Sequence, residues 1–248
     1  MELRLFDTRE NPEQAGCYLA GQRRAYAAYG VESVAEPSWM VVPRGAVFAV
    51  GAYREDGVMV GGTRVHLRTA LTPLPIERCV QEPLLAALIL SQLADVPAEF
   101  CGVWVDREVA HSGAADFVFL GAAVACRVLG SKQAYGFAHK KVLPFYQKYG
   151  LHFDTTRSYT YPDERYVSYA AQVDLGWSAR ADHPACGTYR AIQRAFTAGQ
   201  AFEFKPESAL TWEPPLAEVT PWLSALPWRG APLPETYSVQ NPVNLRGR

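Results

Sequence analysis

The stretch PFYQKYGL, residues 144–151, places Tyr146 two residues after a proline and four before a glycine. A phenol titrates near ~10, so at neutral pH Tyr146 keeps its proton and can act as an acid toward a leaving group of similar basicity. The side chains that could take up a proton are Glu99, in EFCGVWVD, and the histidines His111 and His139. An imidazole titrates closest to neutrality, although a lone histidine is more often structural or exposed. The loop REVAHSGAAD carries small residues from Ser112 to Ala115 and runs straight into an apolar segment. A small-residue loop entering a helix presents backbone N–H groups and the positive end of the dipole to an anion such as a pyrophosphate. Asp116 would set a negative charge there, unless it serves as a helix cap. Arg64 and Arg68 could face a carboxylate, against the default of solvated arginines on a hairpin.

These groups must be held by a sheet and its helices. NPEQAGCYLAGQRRAYAAYG reads as a helix opened by Pro12 and Glu13 and stopped at Gly30. Two β-rich runs flank Glu55-Asp56-Gly57, which predicts a hairpin. TALTPLPIERCV reads as a loop and EPLLAALILSQLAD as a buried helix. AEFCGVWVD follows as a strand, FVFLGAAVACRVLGSKQ as a core helix, AYGFAH as a strand and KKVLPFYQKYG as a helix. LHFDTTRSYTYPDERYVSYAAQVDL reads as a hairpin turning at Pro162-Asp163. This order predicts a mixed α/β sheet with helices on both faces, occupying residues 1–176. Residues 177–248 hold one more helix and a Pro/Trp-rich tail, expected to pack on the domain or on a partner subunit as in a homodimer.

The 248 residues carry a net charge of −1, which gives no pull toward nucleic acid or anionic lipid. The longest apolar stretch, PLLAALILSQLADV, is too short for a bilayer, and the first residues carry charges where a secretory signal needs an apolar centre. A cytoplasmic location is expected. Five scattered cysteines without CxxC spacing read as reduced, mostly buried thiols, and no metal set is expected.

HKKVLPFYQKYGLHF resembles a motif of the GNAT superfamily of acyl-CoA N-acyltransferases. That motif runs Asn, a small residue three on, a tyrosine four further and Gly-Phe; here His139, Val142, Tyr146 and Gly150-Leu151 take those places. Upstream, the family's Val-x-Pro-x-x-Arg-Gly-x-Gly-x-Gly aligns without a gap. Val105 is kept, Arg107 replaces the proline, Ala110 the arginine, and His111, Gly113 and Ala115 the glycines. Gly62-Thr63-Arg64, Leu74-Pro75 and Glu99 are similar, in that order, to the N-acyl amino acid synthase and autoinducer synthase branch. The likeness covers roughly residues 10–176.

The resemblance implies a mostly antiparallel α/β (α+β) sheet whose central strands splay, with an acyl-CoA arm lying between them. It implies transfer of an acyl group, most simply acetyl, to a small-molecule or peptide amine, with Tyr146 as general acid. Glu99, His139, His111 or a water chain would be the base. The donor would lie against Val103 and Val105, with the amide of Val105 or its neighbour polarising the thioester, and with its phosphates at Arg107, Ala110, His111, Ser112, Gly113, Ala114, Ala115 and His139. Lys140 and Lys141 could replace the missing arginine. Trp104 and Phe100 would wall a pocket or simply pack. Two alternatives stand beside this: long-chain transfer from an acyl-carrier protein, and a GNAT fold that has lost catalysis and acts as a binding module.

Overall fold

The computed structural model describes residues 1–205. Strand β1 (Glu2–Asp7) comes first, where no strand was expected from sequence: its charged residues mask an inward Leu3 and Phe6. Helix α1 (Pro12–Ala27) follows, then the hairpin of β2 (Val47–Tyr53) and β3 (Met59–Leu67), turning through Asp56-Gly57 as its residues dictate. The expected loop at 69–80 contains a short helix, α2 (Pro75–Val80), opened by its proline and tied by the Glu77 carboxylate to the Leu74 N–H at 2.7 Å. Next come α3 (Pro83–Ser91), β4 (Ala98–Val105), α4 (Ala114–Val128) and β5 (Ala134–His139). The segment expected as one helix after β5 is a single 3₁₀ turn and the five-residue α5 (Leu143–Gln147). Strands β6 (Leu151–Phe153), β7 (Tyr159–Thr160) and β8 (Val167–Val173), helix α6 (Cys186–Thr197) and strand β9 (Phe202–Glu203) complete the described chain.

The strands form one mixed sheet in the order β6-β8-β5-β4-β3-β2-β1-β9, with β7 also on β8. Every pairing is antiparallel except β4 with β5. Helix α4 covers one face through Phe117, Leu120 and Val124, and α6 lies over α4 with Tyr189, Ile192 and Phe196 buried. Helix α1 covers β3 and β4 on the other face, burying Tyr18 and Leu19 against Trp39 and Trp104. Each such side chain removed from water contributes about 2 kcal/mol, which accounts for α4 as core without any further role. β9 extends the sheet beyond β1, and Phe204 stacks on Phe117 at 4.2 Å. The remaining Pro/Trp-rich tail, and any dimer through it, lie outside the described residues.

Two features of this sheet position the site. β4 and β5 pair only at Ala98–Ala134 and Glu99–Tyr135. Beyond that fork β4 stays on β3 and β5 stays on β8 to their ends, so residues 100–105 and 136–139 diverge. The second feature is a bulge in β4: Arg64 pairs with Cys101 and Gly62 with Trp104, leaving Gly102 and Val103 opposite Thr63. Gly102 takes φ +66°, a conformation natural to glycine. A Cβ there would lie 2.6 Å from Gln22 Nε2 and 2.8 Å from the Tyr18 hydroxyl.

Candidate active site

Register decides which backbone groups face the gap. The Asp106 N–H donates to Val60 O at 2.7 Å, and Gly62 pairs with Trp104. Alternation along an antiparallel strand then turns Trp104 and Asp106 toward β3 and leaves Val103 and Val105 facing the gap. The bulge thus swaps which residues aim outward. Two tyrosines of α1 brace it: the Tyr18 hydroxyl donates to Gly102 O and the Tyr26 hydroxyl to Val103 O at 3.3 Å.

Tyr146, on α5, lies across the gap with its ring 4.5 Å from that of Phe119 and 6.5 Å from that of Phe153. Burial raises its phenol above the ordinary 10, and the nearby Tyr26 raises it further. Burial likewise raises Tyr26, against a hydrogen bond with Gln22. Both phenols therefore hold their protons at neutral pH. Tyr18, Gln22 and Tyr26 were not expected as site residues. Their four-residue spacing puts them on one stripe of α1, which was the available signal.

Glu99 sits at the fork, almost wholly buried. Its Oε2 accepts from the Ile76 N–H at 2.6 Å. Burial pushes its carboxyl up to about 8, against the opposing pull of the Ile76 N–H, Arg64 and Arg78. A carboxyl poised there can take up and release a proton near neutrality. The histidines differ. His139 ends β5 and turns Nδ1 toward the Lys141 N–H at 3.5 Å, while its ring meets Tyr166 edge-on at 5.3 Å. Burial and then the two following lysines lower its pKa. His111 is exposed in the loop before α4.

That loop reaches α4 through Gly113 at φ +80°. Ser112 N–H donates to Val109 O and Asp116 N–H to Gly113 O. Among the described residues no backbone carbonyl accepts from Gly113, Ala114 or Ala115, the first-turn N–H groups a helix leaves over. Arg107, Ala110 and His111 stand exposed around them, as do Lys140 and Lys141 beyond β5. Asp116 is neither a cap nor a free charge: it binds the Tyr149 hydroxyl and Lys148, 3.0 Å away, and so ties α4 to the segment after α5.

On the α1 face a cavity of about 510 Å³ adjoins the fork, with Trp39, Arg64, His66, Arg78, Cys79 and Tyr161 in its wall. His66 is the register partner of Glu99, and Tyr161 meets Phe137 of β5 at 5.7 Å. The hairpin arginines are therefore not solvated: Arg64 and Arg68 are both buried, and Arg68 pairs with Glu77 at 2.8 Å. Phe100 packs under α4 and Trp104 under α1, so both are core rather than pocket wall. Nor are the thiols mostly buried: Cys126 and Cys186 are, Cys17 is exposed, and Cys79 and Cys101 are intermediate.

No protein-family model and no curated protein matches the chain. Solved structures do. An N-acyl amino acid synthase, FeeM, from uncultured soil microbes is 18% identical, with a TM-score of 0.55 over 70% of this chain and 94% of its own. A CoA-dependent acyl-homoserine lactone synthase, BjaI, solved with SAM and isopentyl-CoA, is 14% identical, with a TM-score of 0.52 over 76% of this chain and 87% of its own. These likenesses establish a GNAT-like fold.

Proposed function

We propose that this chain is an N-acyltransferase that moves an acyl group from an acyl thioester, such as acyl-CoA, to an amine by direct attack. The observation that carries the reading is the fork. β4 and β5 part after Glu99 and Tyr135, and the freed edge of β4 is turned by a glycine bulge so that Val103 and Val105 face the gap. An extended thioester arm can add to such an edge as a strand would.

In this reaction the amine nitrogen forms a bond to the thioester carbon, the carbon–sulfur bond breaks, one proton leaves the nitrogen and one reaches the departing sulfur. The backbone N–H groups of Val103 and Val105 polarise the carbonyl, held in place because Tyr18 and Tyr26 fix the bulge carbonyls. Tyr146 protonates the sulfur, its phenol kept neutral by burial. Glu99 receives the amine proton directly or through water, since its carboxyl titrates near 8 and its register partner His66 lines the adjoining cavity. The N–H groups of Gly113, Ala114 and Ala115, with Arg107, Lys140 and Lys141, hold the donor's phosphates. His139 is assigned to the turn after β5 and His111 to the phosphate loop.

The acetyl group is the simplest donor cargo. A second reading, synthesis of acylated amino compounds with longer chains from CoA or a carrier protein, is favoured by the likeness to FeeM and BjaI. Release of free thiol from acetyl-, medium- and long-chain acyl-CoA, measured with and without amine, tests both. Amine-dependent release supports the transferase, and its chain-length profile chooses the donor. Binding of thioester without turnover by any amine would instead make the chain a binding module.

A further inference from the structure

We infer that Tyr18 and Arg64 are positioning residues that strengthen the oxyanion donor. Arg64 faces the Tyr18 hydroxyl, that hydroxyl donates to the Gly102 carbonyl, and the peptide so polarised carries the Val103 N–H that meets the thioester oxygen. The inference rests on the acyltransferase reading and names what drives its backbone donor.

The Gly102 carbonyl and the Val103 N–H belong to one peptide group, planar and trans, so they point opposite ways. The carbonyl meets Tyr18 of α1, and the N–H faces the gap. A proton donated to the carbonyl draws charge through the amide and makes its N–H a stronger donor, since successive hydrogen bonds polarise one another. Tyr26 treats the next peptide in the same way, but that peptide's N–H belongs to Trp104, which is turned toward β3. Two similar hydroxyls thus do different things: Tyr18 acts on the reacting carbonyl and Tyr26 on the sheet.

Arg64 supplies the charge. A Cβ on Gly102 would lie 2.8 Å from the Tyr18 hydroxyl and 3.1 Å from Arg64 Nη2, so the missing side chain lets cation, phenol and bulge come together. The guanidinium lies 6.0 Å from the Tyr18 ring and 4.9 Å from the Trp39 ring, and its Nε is buried without a hydrogen-bond partner. A phenol donates one hydrogen bond and accepts others, so Tyr18 can receive from Arg64 while giving to Gly102. Burial keeps the phenol protonated against the pull of Arg64. Arg64 is 8% exposed, and among the described residues no carboxylate lies within ion-pair distance of it. In so dry a setting its field acts more strongly than in water. When Glu99 takes the amine proton it becomes neutral, which leaves Arg64 facing the negative charge then growing on the thioester oxygen.

The test binds acyl-CoA, isotopically labelled at the acyl carbonyl carbon, without amine and reads its carbonyl stretch by difference infrared spectroscopy, beside kcat measured with amine. Tyr18→Phe keeps the ring against Trp39 and Trp104 and removes only the hydroxyl, so it carries the test even should Arg64→Gln fail to fold. Tyr26→Phe removes the neighbouring hydroxyl and controls for a merely structural brace. We expect the bound stretch to lie below its value in water for the native chain and Tyr26→Phe, and to return toward that value in Tyr18→Phe and Arg64→Gln. Tyr18→Phe should lower kcat by about thirtyfold or more, well beyond Tyr26→Phe, with donor affinity within about twofold. Arg64→Lys keeps a cation and should recover part of both effects that Arg64→Gln loses. Equal effects of the two tyrosine variants, or a stretch that no variant moves, would overturn the relay, while amine-dependent turnover would keep the transferase reading. Should thioester bind but no amine consume it, the stretch decides: a shift lost only without Tyr18 or Arg64 sustains the relay although the transferase reading has failed. A chain that binds no thioester loses both.

Discussion

Replacing Glu99 by glutamine keeps the side chain's shape and an oxygen to accept from the Ile76 N–H, now 2.6 Å from the carboxylate. It removes only the proton. In the folded chain burial lifts the carboxyl from 4.5 to about 8, whereas in the unfolded chain it returns to its ordinary value. Between those two values the folded state holds one proton that the unfolded state has released. Folding stability therefore falls as pH rises through this window: the penalty is absent below the lower value and complete above the upper one. One proton is worth about 1.4 kcal/mol for each tenfold change in its activity, so from about pH 5.5 to about pH 7.5 the native chain should lose about 3 kcal/mol relative to Glu99→Gln. Urea unfolding of both proteins at matched pH measures the difference. A stability gap that widens with pH in favour of the glutamine is expected. Two curves that run parallel across that range would refute a buried carboxyl at the fork, and with it the assignment of Glu99 as base.

The same proton should appear in the rate: kcat/KM should rise with pH through about 8, and Glu99→Gln should lose that limb along with most of its activity. Tyr146→Phe should lower kcat by about a hundredfold or more while changing thioester affinity only slightly, as read by steady-state kinetics against equilibrium binding. Unchanged turnover would remove the phenol from the mechanism. Tyr26→Phe deletes the hydrogen bond to Val103 O and should slow turnover about fivefold at constant fold stability and donor affinity. Gly102→Ala forces a side chain into a positive-φ bulge against Gln22 and Tyr18; a stability loss of about 2 kcal/mol or more is expected in urea.

Much of this was legible in the sequence because local rules govern it. Asp56-Gly57 marked the β2–β3 turn, the apolar run from Phe117 marked α4, and the small residues at 112–115 marked its N-terminal loop. β1 escaped because Glu2 and Arg4 alternate with its apolar residues at the very start of the chain, and α2 because it is only six residues long, Pro75 included. Asp116 read as a cap because its partners, Lys148 and Tyr149, come thirty-odd positions later and only the fold joins them. The arginine pair was misjudged for a similar reason. β3 is buried on both faces, so Arg64 goes inside, and Arg68 just beyond it is covered by Glu77 of α2, facts set by helices that no period-2 pattern records. Tyr26, likewise, is an ordinary helix residue until the bulge carbonyl arrives beside it.

The central claim is that the diverging edges of β4 and β5 receive the donor. A crystal structure with a non-hydrolysable acyl-CoA analogue tests it most directly. The account predicts the pantetheine arm between residues 100–105 and 136–139, its carbonyl at the amides of Val103 or Val105, its phosphates over Gly113–Ala115 and its sulfur near the Tyr146 hydroxyl. A ligand bound elsewhere, or a gap closed by the protein's own side chains at saturating analogue, would contradict it.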